Sequence, residues 1–331
     1  MDAVPECVLC DHTWPIQLLR RATQVSLLTL LIPAFPYVNP NLDALLPALL
    51  RAGVNLEIRA FDGIRLHETE VEAADASGRY APLSHATLLW PLGFGTRGNF
   101  LDKLQLLQLL AADTRCVTTP AAWVLAHAKY DLVRIAPPLQ HPKTFASHNA
   151  QWLWEQLQRG GDWIAKPPAA SFGRGVFRMH KDDPNALAIL EQLTAHGHGE
   201  FAVLQRYVPE IERGEKRVLL AFGEVIGAYA RLPNARGITN LAAGGQPTST
   251  TLNTSEYSAC QMLAAQLQRA GVGYAGIDLA FPWLIEVNVA NPGGLATLMS
   301  LGDARAADRL AEVVVRELAQ IDAQSARTSE P

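Results

Sequence analysis

The sequence contains little cysteine, no excess of positive charge and an apolar run too short to cross a bilayer. Its four cysteines show no framework spacing, and Asp2 and Glu6 stand where a secretory signal would be basic, so we expect a reducing cytoplasm. The run VSLLTLLIPA at residues 25–34 is shorter than the roughly 20 residues that span a bilayer, and it predicts a buried strand. A net charge of −4 provides no basic stripe for nucleic acid. We therefore expect no membrane and no nucleic-acid partner.

Two of the cysteines lie close together near the N-terminus. Cys7, Cys10 and His12 could begin a metal site, but no second pair of ligands follows them. We therefore interpret residues 1–24 as an N-terminal arm. The other two cysteines lie in segments with apolar periodicity and are predicted to be small core residues.

Strands and helices alternate over the first third of the chain. The strand at 25–34 is followed by a helix near 41–52, and the strand ATLLW at 86–90 leads into a helix at 99–112. This order is typical of a small parallel sheet covered by helices. We therefore predict an α/β, Rossmann-like domain over residues 25–135.

The pattern changes beyond a proline-rich linker at 136–144. The segments KRVLLAFGEVIGAYARL and YAGIDLAFPWLIEVNV each consist of two β-rich runs joined by a tight turn, and they predict antiparallel hairpins. We predict an α+β domain over residues 136–323, with one subdomain at about 140–205 and a second at about 206–323. The second subdomain ends in a helix, and residues 324–331 are expected to be a disordered tail.

A lysine stands in the apolar strand WIAKP, directly before a loop of small residues, AASFGRG. A Walker loop has the opposite order, with its lysine after the glycines, so this segment is not a P-loop. Lys166 is predicted to be buried, and because no acid in its strand faces it, a phosphate could serve as its anionic partner. Lys129, Arg217 and Arg231 would add positive charge to the same region if the predicted sheets fold together.

Two carboxylates and an amide converge on the second hairpin. Glu286 and Asn288 are two residues apart on one strand and share a face, while Asp278 lies on the paired strand. Two ionised carboxylates in an otherwise apolar hairpin are costly unless a hard cation holds them. Oxygen ligands of this kind suit Mg²⁺. The alternative is an exposed strand face with scattered polar residues.

Several segments in the second half occur in the order, and near the spacing, of a known family. They are IAKP with its small-residue loop, LQRYVPEIERGEKRVLLAFGEVIGAYAR, NLAAGG, and GIDLAFPWLIEVNV followed by NPGG. Over about residues 120–300 the chain resembles the ATP-grasp superfamily, specifically the prokaryotic glutathione synthetases. The resemblance implies an α+β ATP-grasp domain of two subdomains after a pre-ATP-grasp α/β domain. It also implies a ligase that joins a small-molecule acid to an amine through an acyl phosphate, commonly as a homo-oligomer.

Carried over position by position, the resemblance implies sites for ATP and for two Mg²⁺ ions, with Mn²⁺ as an alternative. The residues implied for the nucleotide are Lys129, Lys166, Ser171, Gly173 and Gly175 around the phosphates, Gln205, Arg206, Tyr207 and Val208 along the adenine, and Glu215 near the ribose. Those implied for the metal are Asp278, Glu286 and Asn288. Arg217 and Arg231 would face the transferring phosphate and the acyl group, and Asn240, Asn291, Gly293 and Gly294 would shape the amine pocket.

The chain departs from that family in two places. Prokaryotic glutathione synthetases carry an arginine and an Asp-Pro-Pro element after the third strand, where γ-glutamylcysteine is held. This chain has LWPLGFGTRGNFLDK there, with Arg97 as either a substitute or a plain loop cation. The family also has Arg-Gly directly before NLAAGG, where this chain has Ile238 and Thr239, with Arg236 two residues before Ile238.

Three hypotheses follow from these similarities and departures. The first is an ATP-dependent ligase for another amino acid or peptide-like acid, and the second is a true glutathione synthetase. The third is a catalytically silent nucleotide-binding protein. Because Lys166, Arg217, Asp278, Glu286 and Asn288 are retained together, the first two are favoured, and the first most of all.

Overall fold

The computed structural model describes residues 26–110, 114–128, 130, 139–169, 175–197, 199–235 and 239–328. The chain divides into two compact units, the first made of Met1–Pro120 with Arg305–Pro331 and the second of Ala121–Ala304. The final helix thus belongs to the first unit, whereas the sequence analysis expected it in the second domain. The N-terminal arm predicted at residues 1–24 lies outside the described residues.

Parallel strands form the centre of the first unit. They are β1 (Leu27–Ile32), β2 (Asn55–Ala60), β6 (Leu88–Pro91) and β7 (Arg115–Cys116), in the order β2-β1-β6-β7. Every neighbouring pair is parallel. Strand β1 is buried at each position after Leu27, as expected for an apolar strand with neighbours on both edges. The parallel sheet predicted from the alternation of strands and helices is confirmed.

A small antiparallel sheet between β2 and β6 was not predicted. It consists of β3 (Arg65–His67), β4 (Glu70–Ala74) and β5 (Tyr80–Pro82), in the order β3-β4-β5. Its strands are short and its first strand is fully exposed, and only Val71 and Ala73 of β4 alternate with polar residues, over too few positions to predict the sheet. Polar contacts contribute instead, including an ion pair of 2.8 Å between Arg65 and Glu72.

The described part of the first unit also contains the helices α1 (Pro40–Arg51), α2 (Phe100–Gln108) and α8 (Ala306–Thr328). Asn39 caps α1, since its side chain accepts from the backbone N–H of Asn41 at 2.9 Å. Helix α8 continues to Thr328, beyond residue 324 where the tail was expected to begin. Alanine, glutamine and arginine in its last turns have high helix propensity and prolong it.

The second unit contains a four-stranded antiparallel sheet. Its strands are β8 (Thr144–Ser147), β9 (Trp163–Lys166), β10 (Phe177–Met179) and β11 (Ala202–Arg206), in the order β10-β9-β11-β8. The helices α4 (Ala150–Leu157) and α5 (Ala186–Leu193) pack on one face against Trp163, Ala165 and Leu204. Because side chains alternate along a strand, Lys166 and Gln205 lie on the opposite face.

A five-stranded antiparallel sheet forms the rest of the second unit. Its strands are β12 (Glu215–Ala221), β13 (Glu224–Leu232), β14 (Gln246–Ser249), β15 (Tyr274–Ala280) and β16 (Trp283–Asn288), in the order β14-β13-β12-β15-β16. The helices of this region are α3 (Pro120–Ala126), α6 (Thr254–Arg269) and α7 (Leu295–Ser300). Both predicted hairpins are confirmed. The first turns at Phe222 and Gly223, whose φ angles of 43° and 82° are typical of a type I′ turn.

Within the described part of the chain, no helix has the length and the apolar composition needed to cross a membrane.

Helix α6 begins with a capping box that we expect to stabilise the second unit. The Asn253 side chain accepts from Glu256 N–H at 2.9 Å, and Glu256 accepts from Asn253 N–H at 2.8 Å. Asn253→Ala should lower the free energy of unfolding by about 1 kcal/mol, because it removes the cap. Urea denaturation followed by circular dichroism measures this change.

The matched control for this prediction is Asn185→Ala. Asn185 occupies the same position before α5, but its side chain makes no capping hydrogen bond. An equal loss of stability in the two variants would contradict the role assigned to the capping box.

Candidate active site

Polar side chains form a row across the five-stranded sheet. In the antiparallel register Tyr229 lies opposite Arg217, Arg217 lies opposite Asp278, and Asp278 lies opposite Glu286. Directly opposed residues place their side chains on the same face, so these four residues share one face of β13, β12, β15 and β16. A second pair, Glu215 and Arg231, lies beside this row. We call this surface the polar face.

The other face of the same sheet is apolar and explains why the row is so regular. Val218, Leu220, Ile277 and Val287 are buried there in one core with residues of α6 and α3. Since the side chains of a strand alternate, burying this set forces the intervening charged residues onto the polar face. A shift of one residue in the register would move charges into the core.

Asp278 is held by two arginines. Arg217 donates from Nε to Oδ1 at 2.6 Å and from Nη2 to Oδ2 at 3.2 Å, and Arg231 Nη2 lies 2.7 Å from Oδ1. Asp278 is only 5% exposed. Burial opposes its ionisation, but the charges and hydrogen bonds of the two guanidinium groups outweigh this effect and lower the pKa of Asp278 to about 2. In the structure two arginines compensate this carboxylate, and the metal cation expected from the sequence stays a prediction.

Glu215 completes the buried network. Its carboxylate accepts from Arg231 and, at 2.6 Å, from the Thr239 hydroxyl. Burial and the charge of Asp278 raise the pKa of Glu215, while Arg231 opposes this change. The structure makes Glu215 the partner of Arg231 and Thr239, and its position near the ribose stays a prediction. Thr239 had been noted only as a departure from the family pattern, and no local signal connected it with Glu215.

The segment at residues 291–294 lies directly against these arginines. Arg217 Nη1 donates to the Gly293 carbonyl at 2.8 Å. Gly294 has a φ of 138°, and a Cβ there would lie 3.0 Å from the Tyr229 ring. A Cβ at Gly276 would lie 2.7 Å from the Cβ of Pro292. Glycine is needed at both positions for this close approach. The sequence analysis predicted the 291–294 segment as part of the site and missed Tyr229, a buried residue with no diagnostic pattern.

The three predicted metal ligands share the polar face. Asp278 lies opposite Glu286, and Asn288 lies opposite Gly276, which carries no side chain to fill the space. Asn288 Nδ2 is buried and has no hydrogen-bond partner among the described residues. Rotating the amide by 180° would place its oxygen at this position, where it could bind a cation. The described residues contain no cluster of three or more His, Cys, Asp or Glu suited to a metal. Two carboxylates and an amide oxygen are hard ligands of the kind that Mg²⁺ prefers, with water and substrate phosphates completing its coordination.

Lys166 lies in the four-stranded sheet and is buried as predicted, with 7% exposure. Its Nζ donates to Gln205 Oε1 at 2.9 Å, and Gln205 Nε2 donates in turn to the Thr144 hydroxyl at 3.3 Å. The two predicted nucleotide-binding residues Lys166 and Gln205 are therefore in direct contact.

The segment expected to contact the adenine, Gln205 to Val208, begins in β11 and continues past the end of that strand. The backbone N–H of Arg206 donates to the Lys143 carbonyl at 2.7 Å, and the backbone N–H of Tyr207 donates to the Asp162 carbonyl at 2.9 Å. These two groups are consequently engaged within the protein. Val208 continues the chain in an extended conformation before the 3₁₀ turn Pro209–Arg213. The N–H groups of Arg206 and Tyr207 have partners on opposite sides, and Val208 is extended, so we expect the Arg206 carbonyl and the Val208 N–H to point to the same edge.

The structure locates the remaining predicted residues less directly. Lys129, Ser171 and Gly173 lie outside the described residues. Gly175 follows the undescribed part of the loop with a φ of 69°, which favours glycine. Asn240 accepts from Ala242 N–H at 2.9 Å and so holds the turn Leu241–Ala243.

Arg97 belongs to the first unit. Its side chain is exposed, and its guanidinium carbon lies 5.8 Å from the centre of the Phe94 ring. Its role toward an acid substrate stays a prediction.

Comparisons with known proteins agree with these features. The family described as prokaryotic glutathione synthetase, ATP-grasp domain, matches residues 132–303, just over half of the chain. Glutathione synthetase of Photorhabdus laumondii is 40% identical over 154 residues, which cover 46% of this chain and 48% of that protein. Glutathione synthetase of Agrobacterium fabrum is 30% identical over 221 residues, covering 66% and 68% respectively. The match thus spans about half of the first relative and about two thirds of the second.

Solved structures show the same fold over most of the chain. D-cycloserine synthetase superposes with a TM-score of 0.67 at 15% identity, covering 88% of this chain and 100% of that one. A RimK domain ATP-grasp protein of Sphaerobacter thermophilus gives 0.61 at 16% identity, covering 87% and 99%. At these identities the likeness concerns the fold alone. The resemblance noted in the sequence is confirmed by the family match: the chain has the ATP-grasp fold and belongs to the family of prokaryotic glutathione synthetases.

Proposed function

We propose that this chain is an ATP-dependent carboxylate-amine ligase that forms an amide through an acyl phosphate. The observation that carries the proposal is the buried pair of arginines, Arg217 and Arg231, fixed around Asp278 on the polar face. Two guanidinium groups held in place in a buried site can stabilise the negative charge of a transferring phosphoryl group without reorganising during the reaction.

Each arginine has a distinct geometry for this task. Arg217 is fixed by three hydrogen bonds, two to Asp278 and one to the Gly293 carbonyl. Arg231 is held by Glu215 and Asp278 through Nη2, while its buried Nε has no acceptor among the described residues. We infer that Arg231 Nε donates to the acyl or phosphoryl oxygen and that Arg217 stabilises the same charge from beside the 291–294 segment.

ATP would bind along the residues that the family resemblance implies. Lys166, positioned by Gln205, would contact the phosphates together with Lys129, and residues Ser171, Gly173 and Gly175 would close over them. Val208 N–H and the Arg206 carbonyl would pair with the adenine edge. The small side chains of the loop would let its backbone amides approach closely and exclude water, which would otherwise hydrolyse the acyl phosphate.

Asp278, Glu286 and Asn288 would hold the divalent metal, which we propose is two Mg²⁺ ions with Mn²⁺ as an alternative. The metal would neutralise charge on the ATP phosphates. Since two arginines already contact Asp278, Glu286 and Asn288 would supply further oxygen ligands to the metal.

The substrates would be a small acid and an amine. Arg97 would bind the acid, and Asn240, Asn291, Gly293 and Gly294 would line the amine pocket. We favour an amino acid or short peptide other than γ-glutamylcysteine as the acid, because Thr239 occupies one of the positions where the chain departs from the family and bonds to Glu215 inside the site. A true glutathione synthetase is the second candidate. We further propose a cytoplasmic protein that forms homo-oligomers.

The experiment that tests this function is a coupled phosphate-release assay with ATP, Mg²⁺ and panels of acids and amines, followed by product mass. Release with γ-glutamylcysteine and glycine alone would support the second candidate. If no acid-amine pair released phosphate while ATP still bound, the catalytically silent alternative would replace the ligase.

Glu286→Gln tests the metal assignment. We expect turnover to fall at least about 100-fold with the fold unchanged, because a neutral amide binds Mg²⁺ more weakly than a carboxylate does. The measurement is kcat at saturating ATP together with a circular dichroism spectrum. Glu224→Gln, an exposed position on β13, is the matched control and should retain full activity. Undiminished turnover in Glu286→Gln would remove Glu286 from the metal site.

Arg217→Lys tests the arginine geometry. Lysine keeps the charge but cannot donate to both oxygens of Asp278 and to the Gly293 carbonyl at once. We expect kcat/KM to fall about 100-fold, while ATP binding changes only a few-fold. Arg305→Lys, at an exposed arginine paired with Glu312, is the control and should behave as the wild type. An equal activity of the two variants would show that charge alone is sufficient at position 217.

A further inference from the structure

Asp162, Arg178 and Glu212 lie around Tyr207, and we call these four residues the Tyr207 clamp. None of them except Tyr207 was connected with function by the sequence. Tyr207 lies between Arg206 and Val208, in the segment to which the proposed function assigns the adenine.

The clamp is built around a cation-π contact. The Arg178 guanidinium carbon lies 3.7 Å from the centre of the Tyr207 ring. Its Nη2 donates to Asp162 at 2.7 Å and its Nη1 to Glu212 at 3.2 Å. The Tyr207 hydroxyl donates to the same Glu212 oxygen at 2.9 Å. Arg178 therefore has the face of the ring on one side and a carboxylate at each end.

The members of the clamp come from four different places in the second unit. Asp162 precedes β9, Arg178 is on β10, Tyr207 follows β11, and Glu212 is on the turn Pro209–Arg213 that leads to β12. The clamp thus connects three strands of the four-stranded sheet with the turn that leads to the five-stranded sheet. The segment that it encloses is the connection between the two sheets.

The charges of the clamp are stable at neutral pH. The hydrogen bond from Arg178 lowers the pKa of Asp162, which stays ionised. Burial and the hydrogen bond to Glu212 raise the pKa of Tyr207 to about 12, so its hydroxyl keeps the proton that it donates. The clamp should be intact throughout the physiological pH range.

The neighbouring Arg206 is held independently. Its Nη1 donates to the Gly160 carbonyl at 2.8 Å, and its guanidinium lies 5.3 Å from the centre of the Trp163 ring. Gly161 has a φ of 85°, which favours glycine, and a Cβ there would displace this guanidinium. The side chains of Arg206 and Tyr207 are therefore both fixed, and the backbone between them and Val208 is preorganised.

We propose that Arg178 is a positioning residue for the nucleotide: by stacking on Tyr207 and pairing with Asp162 and Glu212, it holds the Arg206 carbonyl and the Val208 N–H in the orientation that recognises an adenine edge. The inference rests on the proposed function, since it presumes that ATP binds at this segment. A preorganised segment binds more tightly because less ordering is left to occur on binding. Each exposed ion pair contributes little alone, and Arg178 combines two of them with the cation-π contact.

The test measures the Kd of MgATP by displacement of a fluorescent trinitrophenyl-ATP from the full chain. Arg178→Ala should weaken ATP binding about tenfold, and Arg178→Lys, which keeps the charge without the planar stack, about threefold. Arg65→Ala is the matched control. It removes a comparable contact in the first unit, where the Arg65 guanidinium lies 3.5 Å from the Tyr80 ring and pairs with Glu72, and its Kd should equal that of the wild type.

Separate outcomes distinguish this inference from the function on which it rests. If the wild type binds ATP and releases phosphate but Arg178→Ala has the affinity of Arg65→Ala, the positioning role is overturned and the ligase stands. If kcat at saturating ATP falls as much as affinity does, Arg178 acts on the reaction rather than on adenine binding, and the positioning role is again overturned. If the wild type binds no ATP, the proposed function itself fails.

Tyr207→Phe provides a second variant that leaves the stack in place. It removes only the hydroxyl bond to Glu212 and should weaken ATP binding about twofold to threefold. A Tyr207→Phe protein with wild-type affinity, combined with an unfolded Arg178→Ala protein, would also contradict the clamp.

Discussion

The ion pairs between Asp278 and the arginines Arg217 and Arg231 are the interaction on which the second unit depends. A buried carboxylate with one guanidinium on each side is stable only if all three groups remain in place, because removing one leaves an uncompensated charge in the interior. The three residues come from three neighbouring strands. Their positions therefore require the five-stranded sheet to keep a single register, which the apolar core on the opposite face also demands.

This constraint connects stability with the proposed chemistry. The groups that neutralise Asp278 are the same groups that would stabilise a transferring phosphoryl group, so the site has its charges arranged before any substrate arrives. Glu215 and Thr239 extend the network toward the NLAAGG turn, and the Gly293 carbonyl extends it toward the 291–294 segment. Both extensions reach parts of the chain that we propose to contact the acid or the amine.

Much of the second unit follows from local patterns in the sequence. Alternation identified both hairpins, and the spacing of Glu286 and Asn288 placed them on one face. The pairing of Arg217 with Asp278 could not be predicted in the same way, because it joins residues from different hairpins, and their register is set by the whole sheet. Tyr229 and Thr239 were missed for a related reason, since each acquires its role from a distant partner. The strands β3 to β5 are too short for their apolar alternation, seen only in β4, to predict a sheet, and polar contacts such as Arg65 with Glu72 contribute to it.

Transfer of oxygen from the acid to phosphate is the most direct measurement of the central claim. With the carboxylate of an accepted acid labelled with oxygen-18, an acyl phosphate intermediate predicts that one labelled atom per turnover appears in the inorganic phosphate, detected by mass spectrometry. Label found in AMP, or product formed with no label in phosphate, would contradict phosphoryl transfer to the carboxylate at this site.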